Sequence, residues 1–398
     1  MEKRQHVLLT INVLLYLFLA VFSYSYVDLN LTLSQNPAIL HFVKTMQQLG
    51  YFNRSIATSI YLLFIIVAFS FFIYNLWLFK KEKVGLAYLR KSTIINTVIL
   101  IFAYPFLSSD LFNYLFDARI ILKYHASPYD YRAIDFPNDD WIRFMRWIHR
   151  YSPYGPLWLL MSLIPAVLSF GKFILNLFAF KIAIGLFHLI NTVIIYKILT
   201  KINIKNALFG MAFYALNPLF LIEGVANAHN DVVLVTFMLL PIYFLVVKKT
   251  GLSIIALLSG FLIKYIPIIN LPWLILTAFA KLNTYSLIVL NLLTMTVFTY
   301  VYSSFGITVP FVSGGSTQIQ FQPWYLFWTL PFIALIPNIK LLIVAIAISF
   351  GASLRYLPFL YWGDWSQTGT TNFMQLVTIL PPALAVLCLL AARIARSK

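Results

Sequence analysis

Runs of about 17 to 25 apolar residues recur along the whole chain, and this is the length that crosses a bilayer as a helix. Only 10% of the residues are charged, whereas soluble domains have about one quarter. The pattern predicts an all-α polytopic membrane protein, and we treat residues 1–398 as a single transmembrane domain of about 12 helices. The predicted spans lie near 7–27, 57–79, 92–108, 173–197, 206–222, 231–247, 252–264, 266–280, 284–302, 323–337, 340–361 and 372–392. The first run, Val7 to Val27, is too long for a signal-peptide core and is expected to remain as a helix.

Lysine and arginine indicate how these spans are oriented, because cytoplasmic segments carry an excess of both. With both termini in the cytoplasm, the inner segments hold 17 of the 29 cations and only two acids, Glu2 and Glu82. The other ten acids then face outward. The net charge of +17 is therefore explained by membrane topology and contact with anionic lipid heads. It does not indicate a nucleic-acid partner.

The outer segment 105–157 is interpreted as the catalytic loop. It holds six of the twelve Asp and Glu residues, although the chain is mostly apolar. Within it, Asn138 to Tyr151 has apolar residues at helical spacing and predicts an amphipathic helix in the membrane interface. Its arginines either anchor the loop or hold a lipid phosphate. Tyr154 to Phe170 is predicted to be a re-entrant or partial helix, broken by Pro156 and Pro165.

One further outer segment and two polar residues inside a predicted span bear on the function. Ser303 to Trp324 is rich in Gly, Ser and Gln and predicts a mobile loop. Lys181 and His188 lie deeper, inside the predicted span 173–197, where charge is costly and must face the bundle or a wet cavity. Their role is left open.

The chemistry expected at an outer face follows from what is available there. Nucleotide sugars and ATP are not supplied outside, so a group-transfer enzyme needs a donor that the membrane delivers, such as a polyprenyl- or dolichyl-phosphate sugar. The reaction then needs a carboxylate to take a proton from the acceptor hydroxyl and cations to hold the departing phosphate. Asp110 is the first candidate for the base. Asp117, seven residues later on the same helical face, is the second.

Each candidate also has a structural interpretation. Asp110 could cap the following helix, and Asp117 could pair with Arg119 or Lys123. Arg119, His229, Lys264 and Arg355 are candidates to hold phosphate, but Lys264 and Arg355 could simply reach the lipid heads. No Asp-x-Asp pair is present, and the chain has one cysteine, Cys388. His229 and Asp231 are too few to define a metal site, so neither a metal nor a cofactor is predicted.

Five segments carry a family resemblance. They are SSDLFNYLFDARI with YHASPYDY (residues 108–131), YSPYGPLW (Tyr151–Trp158), ALNPLFLIEGVANAHND (Ala215–Asp231), IKYIPIINLP (Ile263–Pro272) and QPWYLFW (Gln322–Trp328). In this order, the chain resembles the glycosyltransferase-C superfamily, and in particular its polyprenyl-phosphate-mannose-dependent members.

The resemblance implies an inverting transfer of a sugar, with mannose as the leading hypothesis, from a lipid-phosphate donor and without a nucleotide cofactor. It also implies Asp110 as catalytic base and membrane-surface helices in the outer loop. Tyr114, Arg119, Tyr124, Pro128 and Tyr129 fall on shared positions. Ala118 stands where relatives often have Gly, and His125 to Ser127 replace a Gly-x-Asn. Glucose and pentose donors therefore stay open. The substrate-binding candidates are Tyr114, Arg119, Tyr129, His229, Asp231, Lys264, Trp324, Tyr325 and Arg355.

A transporter or flippase of a lipid-linked glycan is the alternative. Transporters tend to show internal repeats and binding sites at the bilayer midplane. We find no repeat, and the polar residues crowd the outer rim, although Lys181 and His188 favour the alternative. The acceptor can be a glycan, a lipid or a protein.

Overall fold

The computed structural model describes residues 2–280, 282–305, 321–336, 338–365 and 368–397, and within them the chain forms helices and no strand. Most of the loop predicted to be mobile, residues 306–320, lies outside the described part. The α-helices are α1 (Glu2–Ser23), α2 (Pro37–Gln47), α3 (Arg54–Lys80), α4 (Leu86–Ile101), α5 (Asp110–Tyr124), α6 (Pro156–Leu168), α7 (Phe173–Ile202), α8 (Ala207–Ala215), α9 (Asp231–Val246), α10 (Thr250–Phe261), α11 (Leu271–Phe279), α12 (Thr284–Phe305), α13 (Leu330–Ala334), α14 (Ile339–Leu354), α15 (Leu357–Trp362) and α16 (Thr368–Ser397). A π-helix, Phe220–Ala226, follows α8, and a 3₁₀ helix, Pro323–Trp328, precedes α13.

Six helical segments in the described residues are long and apolar enough to cross a bilayer, which makes the protein a polytopic membrane protein. They are Lys3–Tyr26, Arg54–Lys80, Phe173–Ile202, Thr284–Ser303, Ile339–Trp362 and Gly369–Ala395. The pair formed by 204–215 and the π-helix is bent by 58° and makes a seventh if it counts as one span. The other predicted spans correspond to helices shorter than the roughly 20 residues that a straight crossing needs. The number twelve therefore remains a prediction.

The interior is organised around α7, which packs against α4, α8 and α9. Phe180, Ile184 and Ile195 are among its fully buried side chains. Polar groups inside the bundle bond to neighbouring helices, as the lack of water requires. Asn191 of α7, for example, donates to the carbonyl of Val232 at 2.8 Å and accepts from Thr236 at 2.6 Å.

Short turns between antiparallel helices separate two chemically different ends. The turn between α9 and α10 carries Lys248 and Lys249, whereas the opposite ends of the same two helices carry Asp231 and Lys264. The loop that contains α5 and the turn 227–230 lie at the second end, where Asn227 contacts Leu107 and Asn230 contacts Tyr114. The candidate site residues therefore meet at one end of the bundle.

The amphipathic helix predicted over 138–151 is not formed, and that prediction is wrong. The segment contains one 3₁₀ turn, Ile142–Phe144, between bends and turns. Asp139 points inward to side chains of α5, and Trp141 is also buried, with its ring 5.3 Å from that of Phe173. A polar and an aromatic residue two positions apart are both turned inward, so the segment cannot present one helical apolar face.

The segment Tyr154 to Phe170 forms an apolar helix too short for a straight crossing, in agreement with the predicted partial helix, but the two prolines do not break it. Pro156 is the first residue of α6 and does not break it, and Pro165 lies inside an unbroken helix of 13 residues. A proline in the first turn is tolerated because its missing N–H has no helical acceptor there. The start of α6 is tied to the end of α10, since the N–H of Gly155 donates to the carbonyl of Ile263 at 2.9 Å. A Cβ at Gly155 would lie 2.2 Å from the carbonyl oxygen of Leu262, which explains the glycine.

Candidate active site

Helix α5 presents Asp110 at the end of the bundle that holds the site. Its buried residues Leu111, Phe112 and Leu115 fix the helix against its neighbours. Ser109 occupies the N-cap position, so Asp110 is the first helical residue and not the cap. The N-terminal end of a helix favours a negative charge. The Asp110 side chain is 22% exposed and is therefore accessible from one side.

The imidazole of His229 lies between two carboxylates. Its Nδ1 is 3.4 Å from Oδ2 of Asp110, and its Nε2 is 3.3 Å from Oε2 of Glu223. The ring stacks on Trp324, with centroids 3.9 Å apart and planes at 22°. Burial alone lowers the pKa of His229, but the two carboxylates outweigh burial and raise it to about 9. The arrangement holds a cation at Asp110.

Glu223 was not selected from the sequence. It is completely buried in the π-helix, and Oε2 also accepts from the amide of Asn227 at 3.0 Å. The signal was present, because Glu223 is the only acid in the apolar segment from Ala215 to Ala226. A single acid in such an apolar run predicts a buried carboxylate with a functional role. It does not identify the residue that pairs with that carboxylate.

The turn that carries His229 is held from several sides. Ala228 adopts a left-handed backbone conformation with φ of 56°, which costs about 1 kcal/mol for a residue with a Cβ. The N–H of His229 donates to the carbonyl of Glu223 at 3.2 Å, and the side chain of Asn227 accepts from the N–H of Leu107 at 3.2 Å. These contacts fix the direction of the imidazole.

Lys181 stabilises the same turn from inside the bundle. Its ammonium is fully buried and donates to the carbonyls of Ala226 and Ala103, at 2.5 and 2.6 Å. The carbonyl of Ala226 ends the π-helix, and the carbonyl of Ala103 follows the end of α4. A cation is favoured at the C-terminal end of a helix. His188 lies two turns further along the same face of α7, and its ring stacks on that of Tyr214 with centroids 5.3 Å apart. Lys181 therefore has a structural role that does not require a transport path.

Asp231 forms a second charged cluster next to this turn. Lys264 donates to both of its carboxylate oxygens at 2.9 Å, and the indole of Trp328 donates to Oδ1 at 2.7 Å. Tyr325 stacks on Trp328, with centroids 4.6 Å apart. Trp324 and Tyr325 thus lie beside the two carboxylate clusters, as aromatic surfaces next to charge.

Tyr114 connects α5 to the turn between the clusters. Its hydroxyl donates to Oδ1 of Asn230 at 3.2 Å, and the ring meets Trp158 edge to face at 5.1 Å. Burial raises the pKa of Tyr114 well above its usual value, and the charges of Asp110 and Asp231 add to this effect. Tyr114 is therefore a neutral tyrosine that holds the site together.

Asp117 is buried and has a different environment from Asp110. Its Oδ2 has no hydrogen-bond partner among the described residues. Burial raises the pKa of Asp117 to about 7, and the nearby hydroxyl of Ser152 opposes this shift. The pairing of Asp117 with Arg119 or Lys123, which was an alternative from the sequence, is absent from the described contacts.

Arg119 and Lys123 both bind Asp139 and not Asp117. Arg119 lies 2.7 Å and Lys123 2.9 Å from Oδ2 of Asp139, and Tyr124 donates to the same oxygen at 2.5 Å. Asp139 is partly buried, which raises its pKa, but these donors hold the pKa well below its usual range. Arg119 therefore organises the loop, and Tyr129 does the same by donating to the carbonyl of Tyr154 at 2.7 Å.

Arg355 lies at the end of α14 and is only 4% exposed. Its guanidinium carbon is 5.6 Å from the ring centroid of Phe321, and its Nε has no hydrogen-bond partner in the described part of the chain. Among the described contacts it forms no ion pair. A buried guanidinium that forms no ion pair is suited to bind an anion.

The described residues contain no group of three or more His, Cys, Asp or Glu side chains that could hold a metal ion. Asp110 and Glu223 contact opposite nitrogens of His229, so their oxygens do not converge on one point. The structure instead brings Asp110, Tyr114, His229, Asp231, Lys264, Trp324 and Tyr325 to one region through the contacts above. Arg119 belongs to the separate cluster around Asp139.

Comparison with known proteins gives one match. The model of the MptA_B family, described as alpha-(1->6)-mannopyranosyltransferase, N-terminal domain, matches residues 15–280. Neither a curated protein nor a solved structure matches the chain. The matched residues include Asp110, Glu223, His229, Asp231 and Lys264. The protein therefore belongs to the MptA_B family of α-(1→6)-mannopyranosyltransferases.

Proposed function

We propose that the protein is an inverting mannosyltransferase that takes mannose from a polyprenyl-phosphate donor. The acceptor is a hydroxyl of a glycan or lipid at the outer face of the cell membrane. The family match supports mannose as the transferred sugar. Inversion has a consequence for the donor, because an α-linked product requires a β-linked mannosyl phosphate.

The observation that carries the mechanism is the environment of Asp110. It is the partly exposed carboxylate of the pair that flanks His229, whereas Glu223 is buried. As the acceptor oxygen bonds to C1 of the mannose, its proton passes to Asp110, and the bond from C1 to the phosphate oxygen breaks. The lipid phosphate departs with the electron pair. No nucleotide is consumed in this scheme.

Arg355 is the proposed contact for the departing phosphate. It is a buried cation without an ion pair among the described residues, while Lys264 and Arg119 already contact carboxylates. Trp324 and Tyr325 are proposed to contact the sugar, since they lie next to His229 and the Asp231 cluster. An aromatic ring can cover the apolar face of a pyranose.

The distribution of cations supports an outer site. Lys80, Lys81, Arg90 and Lys91 lie at the end of α3 and the start of α4, which is the end opposite to Asp110. The positive-inside rule then assigns that end to the cytoplasm. Cysteine placed at 81 or 130 in a variant without Cys388 tests this with an impermeant thiol reagent on intact cells. Labelling at 81 but not at 130 would overturn the orientation.

The function is tested with purified protein and radiolabelled polyprenyl-phosphate mannose, glucose and pentose, each as both anomers. We expect transfer from the β-mannosyl donor and an α-linked product. The Asp110→Asn variant is the negative control, and Asp130→Asn, which changes an exposed acid of the same loop, is the matched positive control. Transfer from a nucleotide sugar, or a β-linked product from a β-linked donor, would refute the proposal.

A further inference from the structure

We propose that Glu223 and His229 are positioning residues for the reaction, a role that rests on the proposed function of Asp110. Glu223 holds the His229 ring as an imidazolium, and the imidazolium fixes the position of the Asp110 carboxylate. His229 was expected from the sequence to hold phosphate, but its two nitrogens both face carboxylates. Glu223 is a new member of the site.

The first argument is the number of ring protons. Nδ1 faces Asp110 at 3.4 Å and Nε2 faces Glu223 at 3.3 Å. A neutral imidazole has only one N–H, so one nitrogen lone pair would point at a carboxylate oxygen. The ring is fully buried, so no water can lie between the nitrogen lone pair and the carboxylate oxygen. Protonation of both nitrogens removes this repulsion.

The second argument is the charge around the ring. Tyr61 and Tyr356 interact electrostatically with Glu223, and Tyr114, Tyr154 and Tyr325 interact with Asp110, while Arg150 acts on Tyr325. Tyrosines are uncharged near neutral pH. Lys264 is bound to Asp231, and the guanidinium of Arg355 lies against the ring of Phe321. Among the described ion pairs, His229 is thus the cation of both carboxylates.

The third argument is the rigidity of the turn. The strained Ala228, the contact of Asn227 with Leu107 and the buried Lys181 all hold the loop that carries the ring. The stacked Trp324 restricts tilting of the ring from one face. A residue that only filled space would not need this support. The structure therefore fixes the imidazole with its Nδ1 3.4 Å from a carboxylate oxygen of the proposed base.

The test uses charge-changing and charge-conserving variants of Glu223. Glu223→Gln keeps the shape but removes the anion, so the ring should lose its proton at a pH lower by about one unit or more. The alkaline limb of kcat/KM should move down with it, giving a rate at pH 8.5 that is lower by about threefold or more. Glu223→Asp keeps the charge and should return the limb toward that of the native protein.

Asn227→Ala is the matched structural control. It removes the amide that contacts Glu223 and Leu107 without changing any charge. We expect it to lower activity or stability equally at all pH values and to leave the alkaline limb in place. If Glu223→Gln behaves like Asn227→Ala, the two residues are structural only, and the proposal is overturned.

A measurement without substrate separates this inference from the proposed function. The six histidines can be labelled with ¹⁵N, and the His229 signal is assigned by its loss in His229→Gln. We expect a largely doubly protonated ring at pH 8 in the native protein and a clearly larger neutral fraction in Glu223→Gln. A neutral His229 at pH 8 in the native protein would contradict the proposal, whichever donor the enzyme uses.

Discussion

The ammonium of Lys264 donates to both carboxylate oxygens of Asp231, each at 2.9 Å. The Asp231 side chain is 1% exposed and that of Lys264 is 19% exposed, so the pair is mostly removed from water. It joins the start of α9 to the segment after α10. Loss of one partner leaves a buried charge without compensation.

We therefore expect Lys264→Met to destabilise the protein by about 3 kcal/mol, because Asp231 stays buried and charged. The double variant with Asp231→Asn should recover part of this loss. Thermal unfolding in one detergent across the four proteins of the cycle measures the coupling. Additive effects would show that the pair does not stabilise the fold.

The transmembrane character could be predicted because the length of an apolar run is a local property. Six of the predicted spans correspond to helices long enough to cross, including 173–197 within α7. The predicted helix 138–151 failed for a nonlocal reason, since the partners of Asp139 lie on α5. Spacing along the chain cannot show that a residue of the polar face turns inward.

The site shows the same limit. Asp110 and His229 were each selected as candidates, but only the fold shows that they touch. Glu223 was missed because a single acid in an apolar run carries no sign of its partner. Lys181 was noticed as a buried cation, yet its two carbonyl partners come from the end of the π-helix and the segment after α4. These contacts arise from packing and not from local pattern.

Arg355 is predicted to determine donor affinity. Arg355→Lys retains the charge but loses the planar N–H donors that bind a phosphate through two hydrogen bonds. Arg355→Gln loses the charge. A charge-assisted hydrogen bond is worth about 1.5–3 kcal/mol, so Arg355→Gln should raise the KM for the lipid donor by about 10-fold to 100-fold. Arg355→Lys should be intermediate. The exposed Arg143 is the matched control, and equal effects of Arg143→Gln and Arg355→Gln would argue against a specific phosphate site.

Asp117 is predicted to make folding depend on pH. Burial raises the pKa of Asp117 to about 7 in the folded protein, from the usual 3.8 of an exposed aspartate. Between these two values the folded state keeps a proton that the unfolded state has lost, so stability falls as the pH rises. Asp117→Asn should then be more stable than the native protein at pH 8 by the order of 2–4 kcal/mol. It should be nearly unchanged below pH 4.

Unfolding temperatures of both proteins from pH 4 to 8 measure this difference. Asp130→Asn is a suitable control, because Asp130 is exposed in the same loop. A difference between Asp117→Asn and the native protein that does not grow with pH would mean that Asp117 is ionised in the folded state. The transfer activity of Asp117→Asn then decides whether the Asp117 carboxyl also contributes to the reaction, in addition to Asp110 as the proposed base.

Asp110→Asn is predicted to abolish most of the transfer activity. The amide keeps the shape of the side chain but cannot take the acceptor's proton, so turnover should fall by roughly 10²-fold to 10⁴-fold. His229 loses one of its two anions and its pKa falls, so a modest loss of stability is expected at neutral and lower pH, and this loss should disappear as the pH rises above about 9. Asp117→Asn should reduce turnover less, since that carboxyl has no ion pair with His229.

The comparison is made on sugar transfer and thermal stability in one detergent. Asp110→Glu is informative as well, because it retains a base but moves it by one methylene away from the Nδ1 of His229. Partial activity in Asp110→Glu with almost none in Asp110→Asn would identify proton uptake as the function of the residue. Full activity in Asp110→Asn would exclude it as the base. An activity loss that parallels a loss of stability would show that the contact with His229 serves folding.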